Sequence, residues 1–225
     1  MGLFDFLRKK KCEPQKGTIY KYNGNVIAKY LRGSIIDYFL YDDKNNRPDV
    51  CPICHNKYKF VLNQNAEFSM NNRDLGETWD GYAFVSEKFY RFCQEEKYPN
   101  LILTPLERKK GVYYFEPTEI FQLDYYDEPI RTKFINKRDC CGSYDEVIKI
   151  PSVKSKDYKV TSNDFIMRSE YSFGSYERKS YLIIVGTETA KKMKKYGLRG
   201  IYFDDIYDNV GLEVIKEIVN YRVLE

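Results

Sequence analysis

The chain has 225 residues and is 43% hydrophobic, enough for one large domain or two small ones, which excludes global disorder. Its 37 basic and 33 acidic residues leave a net charge of +4, mixed along most of the chain, too small an excess to mark a nucleic-acid-binding protein. No apolar run reaches the roughly 18 residues of a spanning helix, and "MGLFDFLRKKK" runs from apolar to basic, the reverse of a secretory signal.

Residues 1–16 therefore read as a short N-terminal amphipathic segment, able to dock on the body or touch a membrane surface. Phe6 stands where a myristoylation motif wants a hydroxyl residue. The expected compartment is the cytoplasm, where six cysteines favour metal binding or burial over disulfides. With 22 Tyr and 14 Phe, the composition suits half-buried strands, a recognition face, or both.

In chain order, residues 17–41 read as strands with Asn23-Gly24 as a hairpin turn. "DDKNNRPD" is a polar loop leading to Cys51, residues 57–70 suggest a strand or hairpin, and "NNRDLGETWDG" is rich in turn formers. Phe84 to Leu106 and Ile184 to Ile206 then share one plan. Each has a short apolar strand, a capping hydroxyl (Ser86 or Thr187), a helix, a turn and a second strand. Phe89, Phe92 and Cys93 in one helix, and Ala190 and Met193 in the other, face inward at helical spacing. The offset of about one hundred residues suggests a duplicated strand–helix–strand unit. Between them, "GVYYFEPTEIFQLDYY", "YDEVIKIPSV" and "DFIMRSEYSFG" supply strands around a cysteine-bearing turn at Asp139 to Ser143. The closing "VGLEVIKEIVNYRVLE" places Val214, Ile215, Ile218 and Val219 on one face of a final amphipathic helix. The expected fold is α+β, with mixed and antiparallel sheets, the duplicated unit and a zinc-knuckle clamp. Lobes at 17–150 and 151–225 would share one core.

Cys51-Pro52-Ile53-Cys54 can present two thiolates from one turn to a tetrahedral ion. A structural zinc needs two more ligands, and Cys140-Cys141-Gly142 is the obvious source. Cys140 and Cys141 both bind, or His55 or Cys12 replaces one of them. A closed, all-cysteine site suits a chain with a single histidine, and it would hold distant segments together. Signals for catalysis are sparse. There is no His-Glu-x-x-His, phosphate-binding glycine loop or second histidine for a triad, so the chain reads as non-enzymatic. Asp42-Asp43 and Asp204, Asp205 and Asp208 are carboxylate clusters that a metal-dependent hydrolase would need.

Cys-Pro-x-Cys, the second Cys-Gly turn and the segment "LIIVGTETAKKMKKYGLRGIYF" resemble the paired-CxxCG bacterial proteins. They also resemble the related immunity-protein families encoded beside polymorphic toxins. Arg138 stands where the second Cys-x-x-Cys-Gly would begin. The resemblance implies a cytoplasmic protein that neutralises a cognate toxin by direct binding. The candidate contacts are Trp79, Tyr125, Tyr126, Asp204, Asp205 and Tyr207. A zinc protein using basic clusters and tyrosines on nucleic acid is the alternative.

Overall fold

In a computed structural model, which describes residues 19–22, 24–41, 47–126, 131–209 and 212–215, strands dominate. In chain order they are β1 (Ile19–Tyr22), β2 (Val26–Ile36), β3 (Leu75–Thr78), β4 (Ala83–Ser86), helix α1 (Glu87–Glu95), β5 (Leu101–Pro105) and β6 (Val112–Pro117). There follow β7 (Lys133–Lys137), β8 (Tyr144–Ile148), β9 (Ile166–Ser175), β10 (Ser180–Gly186), helix α2 (Thr187–Tyr196), β11 (Ile201–Tyr207) and β12 (Leu212–Ile215). Residues 25–209 form one compact unit, and the terminal stretches form another, described here only by its antiparallel β1–β12 ladder.

Within residues 25–209 the strand order is β5-β6-β4-β3-β2-β10-β9-β8-β7, with β11 also paired to β2. All these pairings are antiparallel except β2 with β3. Because side chains alternate along a strand, neighbouring residues feed opposite faces. Leu31, Val85, Phe115 and Val185 join Phe89, Phe92, Ala190 and Met193 under the helices. One residue back, Tyr30 and Ile184 enter a core with Phe121, Leu123 and Phe165, while Phe84 and Tyr114 enter one with Leu40, Phe68 and Met70. Helices thus cover one face, and long loops cover the other. The sheet crosses residue 150, since β2 pairs with β10 and β11.

The two strand–helix–strand segments share a pairing scheme. β4 and β5 both pair antiparallel to β6, which lies between them; β10 and β11 both pair antiparallel to β2, which lies between those. Each segment is therefore a split βαβ unit. Contacts between the units swap roles at an offset of one hundred. Phe92 meets Tyr196 edge-on at 5.2 Å, and Lys192 pairs with Glu96 at 2.7 Å. Asp74 accepts from Ser86 Oγ at the start of α1 and from Arg199 N after α2, both at 2.6 Å. Asp164 accepts from Thr189 Oγ1 in the first turn of α2 (2.9 Å) and from the Tyr98 hydroxyl after α1 (2.7 Å).

Ser86 caps α1 by accepting from Phe89 N at 3.2 Å. Thr187, the expected cap of α2, is instead its first helical residue; the cap is Gly186, with no side-chain bond. The Asn163 carbonyl takes over by accepting from Glu188 N at 2.9 Å, and it lies so close that a Cβ on residue 186 would sit 2.0 Å from it. Only glycine admits that approach.

Four local expectations are corrected. Among the described residues, the strands on either side of Asn23-Gly24 take other partners, β1 pairing with β12 and β2 with β3, β10 and β11, and Asn23 itself lies outside the described residues. Residues 58–70 form no strand; Ala66, Phe68 and Met70 are instead buried against the sheet from an irregular loop. The turn-rich "NNRDLGETWDG" contains β3, held parallel against Ser34–Ile36. Residues 212–215 are strand rather than the start of a helix, since Val214 and Ile215 are β-branched and β1 offers a partner. Ile218 and Val219, residues 1–16 with Cys12, and Asp42-Asp43 lie outside the described residues. No helix among the described residues is long and apolar enough to cross a membrane.

Candidate metal centre

Two tight turns, far apart in sequence, deliver the cysteines. In the first, His55 N donates to Cys51 O and Cys51 N to Asn56 O, both at 2.9 Å, closed by a bridge between Val50 and Lys57. The second joins β7 to β8: Arg138 N donates to Ser143 O at 2.8 Å and Gly142 N to Arg138 O at 2.7 Å. Each pair is followed by a left-handed residue, His55 (φ 58°) and Gly142 (φ 72°). His55 thus serves the turn by its backbone, in a conformation that favours glycine, and it is not among the clustered ligand groups.

The four sulfurs of Cys51, Cys54, Cys140 and Cys141 lie within 4.8 Å of one another. Cys51 and Cys140 sulfurs are 3.8 Å apart and those of Cys54 and Cys141 3.6 Å. A disulfide would need about 2.05 Å, whereas a tetrahedral ion with Zn–S bonds of about 2.3 Å has sulfur–sulfur edges of about 3.8 Å. The observed spacing therefore suits a shared ion. The adjacent Cys140 and Cys141 both lie within this cluster with Cys51 and Cys54.

Electrostatics point the same way. Backbone N–H groups of Cys54 and Ile53 aimed at the Cys51 sulfur draw that thiol down to about 7. Cys140, hydrogen-bonded by Cys54 and crowded by burial and Cys51, is pushed up to about 12, and burial raises Cys141. Cys140 and Cys141 thus resist ionising beside the other sulfurs, and a divalent cation is the group that would let them do so.

Around the sulfurs, the two turns are sewn to each other. Ser143 Oγ donates to Lys57 O at 2.8 Å, and Asn56 Nδ2 to Asp145 Oδ1 at 2.6 Å. Asp145 also takes a two-pronged pair of bonds from Arg138, both 2.7 Å, and one from Asn136 at 3.1 Å. Arg138 thus anchors the turn through Asp145. The Arg138 bonds, then those of Asn56 and Asn136, hold the Asp145 carboxyl down at about 2. An unfolded aspartate titrates near 3.9, so this stabilisation is complete above about pH 4 and fades as pH falls toward 2. Urea midpoints followed from pH 5 to pH 2.5 should fall less steeply in Asp145→Asn than in the parent chain; parallel curves would remove Asp145 from the argument.

A buried ionic network, which no sequence pattern announced, holds both ends of the first turn. Arg47 bonds Asp49 at 3.0 and 2.7 Å and reaches Asp80 at 3.2 Å, all three side chains being almost wholly excluded from solvent. Asp80 also accepts from Leu40 N and Thr78 Oγ1, and Asp49 from the Tyr82 hydroxyl. Lys57 donates to the carbonyls of Asp80 and Lys179. Burial pulls its pKa down to about 8 against the opposing pull of Asp49 and Asp80. The only sequence hint was that Arg47, Asp49 and Lys57 bracket the two thiols.

The candidate contact residues are distributed over three places. Trp79 sits half-exposed in the β3–β4 turn and bonds Asp37 at 2.9 Å. Tyr126 is exposed, but Tyr125 is only 3% exposed and packs on Phe134, Tyr171 and Phe173, so its expected role as an exposed contact is corrected to core. Asp204, Asp205 and the half-buried Tyr207 lie on β11. Consecutive strand residues face opposite ways. Accordingly Asp204 pairs with Arg32 and Asp205 with Lys29, while Asp208 accepts from Asn25. These carboxylates do not converge as a hydrolytic metal site requires. The chain matches no protein-family model and no curated protein significantly.

Proposed function

We propose that Cys51, Cys54, Cys140 and Cys141 hold one zinc ion as a structural clamp in a non-enzymatic cytoplasmic protein that works by binding a partner protein. The observation that carries the metal reading is the group of four sulfurs within 4.8 Å, with pair spacings close to a tetrahedral edge. Four sulfur ligands close the coordination shell and leave no position for water or substrate, so the ion shapes the chain and performs no chemistry. The softness of four thiolates favours zinc over harder cations. Elemental analysis of protein purified without chelator should find one zinc per chain; protein free of metal under those conditions would remove this reading.

The partner is proposed to be a cognate toxin, neutralised by occlusion. Support comes from the resemblance of the cysteine turns and the α2–β11 segment to immunity families. The split units, with one pairing scheme at an offset of one hundred residues, are read as copies of one ancestral unit. Exposed Trp79, Tyr126 and Asp204 are the first surface residues to test as contacts. Co-expression with the polypeptide encoded next to this reading frame should give a complex on gel filtration and restore growth. A neighbour that neither binds nor harms the host would overturn the immunity reading and leave the zinc clamp standing.

A further inference from the structure

Beside the second cysteine turn lies a cavity of 350 Å³, at the small end of the range for small-molecule sites. Its lining includes Lys57, Lys59, Lys137 and Lys179 and contains no aspartate or glutamate. Lys57 turns its ammonium into the buried network. Of the other three, Lys179 is engaged by its surroundings, and Lys59 and Lys137 face solvent. Lys179 is buried, donating to Ser143 Oγ at 2.6 Å and to the Tyr144 carbonyl. Lys59 and Lys137 are exposed, with ammonium groups 5.2 Å and 5.9 Å from the ring centres of Tyr58 and Tyr144. Tyr58 is itself 45% exposed, and Phe60, Tyr171 and Tyr181 complete the aromatic wall. Cations beside accessible rings, without a competing carboxylate, match a ligand that is at once planar and anionic.

We propose that this cavity binds a nucleoside monophosphate, its base against Tyr58 and Tyr144 and its phosphate toward Lys59 and Lys137. An inorganic anion would leave the ring wall unused, and an uncharged nucleoside would leave the lysines uncompensated. The cavity touches the proposed metal centre through Cys141, but its proposed ligand contacts, Tyr58, Lys59, Lys137 and Tyr144, are not metal ligands, and it does not rest on the toxin role.

Titration calorimetry of the full-length, metal-loaded chain at low salt would use adenosine and uridine 5′-monophosphates, the corresponding nucleosides and inorganic phosphate. At least one monophosphate should bind more tightly than its nucleoside and than phosphate. Lys59→Ala with Lys137→Ala should weaken that binding by about tenfold or more, as loss of charge-assisted contacts requires. Tyr58→Ala should weaken the monophosphate but not phosphate. Lys109→Ala, in a basic cluster elsewhere, should change nothing. The proposal is overturned if phosphate binds as well as every monophosphate, if no monophosphate binds, or if Lys109→Ala weakens binding as much as the cavity variants. Zinc content measured in each variant separates a lost cavity from a damaged cysteine centre, because Lys59 and Lys137 are not among the sulfur ligands.

Discussion

Cys51→Ser is expected to abolish stoichiometric metal binding and to lower the thermal midpoint by about 10 °C or more. The magnitude follows from chain entropy. Cys51 and Cys140 are 89 positions apart, and a link across a loop of that length removes about 4–5 kcal/mol of freedom from the unfolded chain. For a domain of this size each kcal/mol moves the midpoint by about 2–4 °C. Chelation of the parent protein should reproduce the shift, and Cys140→Ser added to Cys51→Ser should cost little more, since the ion is already lost. Calorimetry combined with elemental analysis makes the comparison. Identical melting with and without chelator, in protein shown to carry metal, would sink the clamp.

The second large effect is expected at Asp49, which carries no metal. Asp49→Ala leaves the buried guanidinium of Arg47 and the ammonium of Lys57 with Asp80 as the remaining carboxylate of these four groups, and removes the acceptor of the Tyr82 hydroxyl. Breaking a buried pair from one side costs about 3–5 kcal/mol, because the stranded charge cannot be rehydrated without opening the core. Asp204→Ala, which breaks an exposed pair with Arg32, should cost about 1 kcal/mol or less. Urea unfolding of the two variants tests the contrast directly. Asp49→Ala should also weaken zinc binding, because Arg47, Asp49 and Lys57 fix both ends of the loop that presents Cys51 and Cys54. Equal stability losses in the two variants would refute the network.

Much of the fold is written locally. The inward stripe of Phe89, Phe92 and Cys93 and the Ser86 cap are nearest-neighbour patterns that the backbone obeys wherever it goes. β3 was illegible because its four residues pair in parallel with a strand some forty positions earlier, and "LGET" has no alternation of its own to declare it. The stretch Leu212–Ile215 is ambiguous for a related reason. Its apolar spacing fits a helix face as well as a strand, and the choice fell to its pairing with β1.

The candidate site divides along the same line. Cys-x-x-Cys names its own chemistry, because the spacing alone lets two sulfurs share an ion. By itself, then, the sequence determined the thiol pairs, both helices and the repeated strand–helix–strand order. The tertiary structure alone decided that Cys140 and Cys141 face Cys51 and Cys54, that Arg138 works through Asp145, and that Arg47, Asp49, Lys57 and Asp80 meet out of water. It also placed Tyr125 in the core and Tyr58 on a cavity wall, although both read from the sequence as tyrosines beside charged residues. Local patterns follow from backbone geometry within a few residues. Pairing of charges, sulfurs and rings depends on which distant segments the sheet brings together, and no short stretch of sequence carries that information.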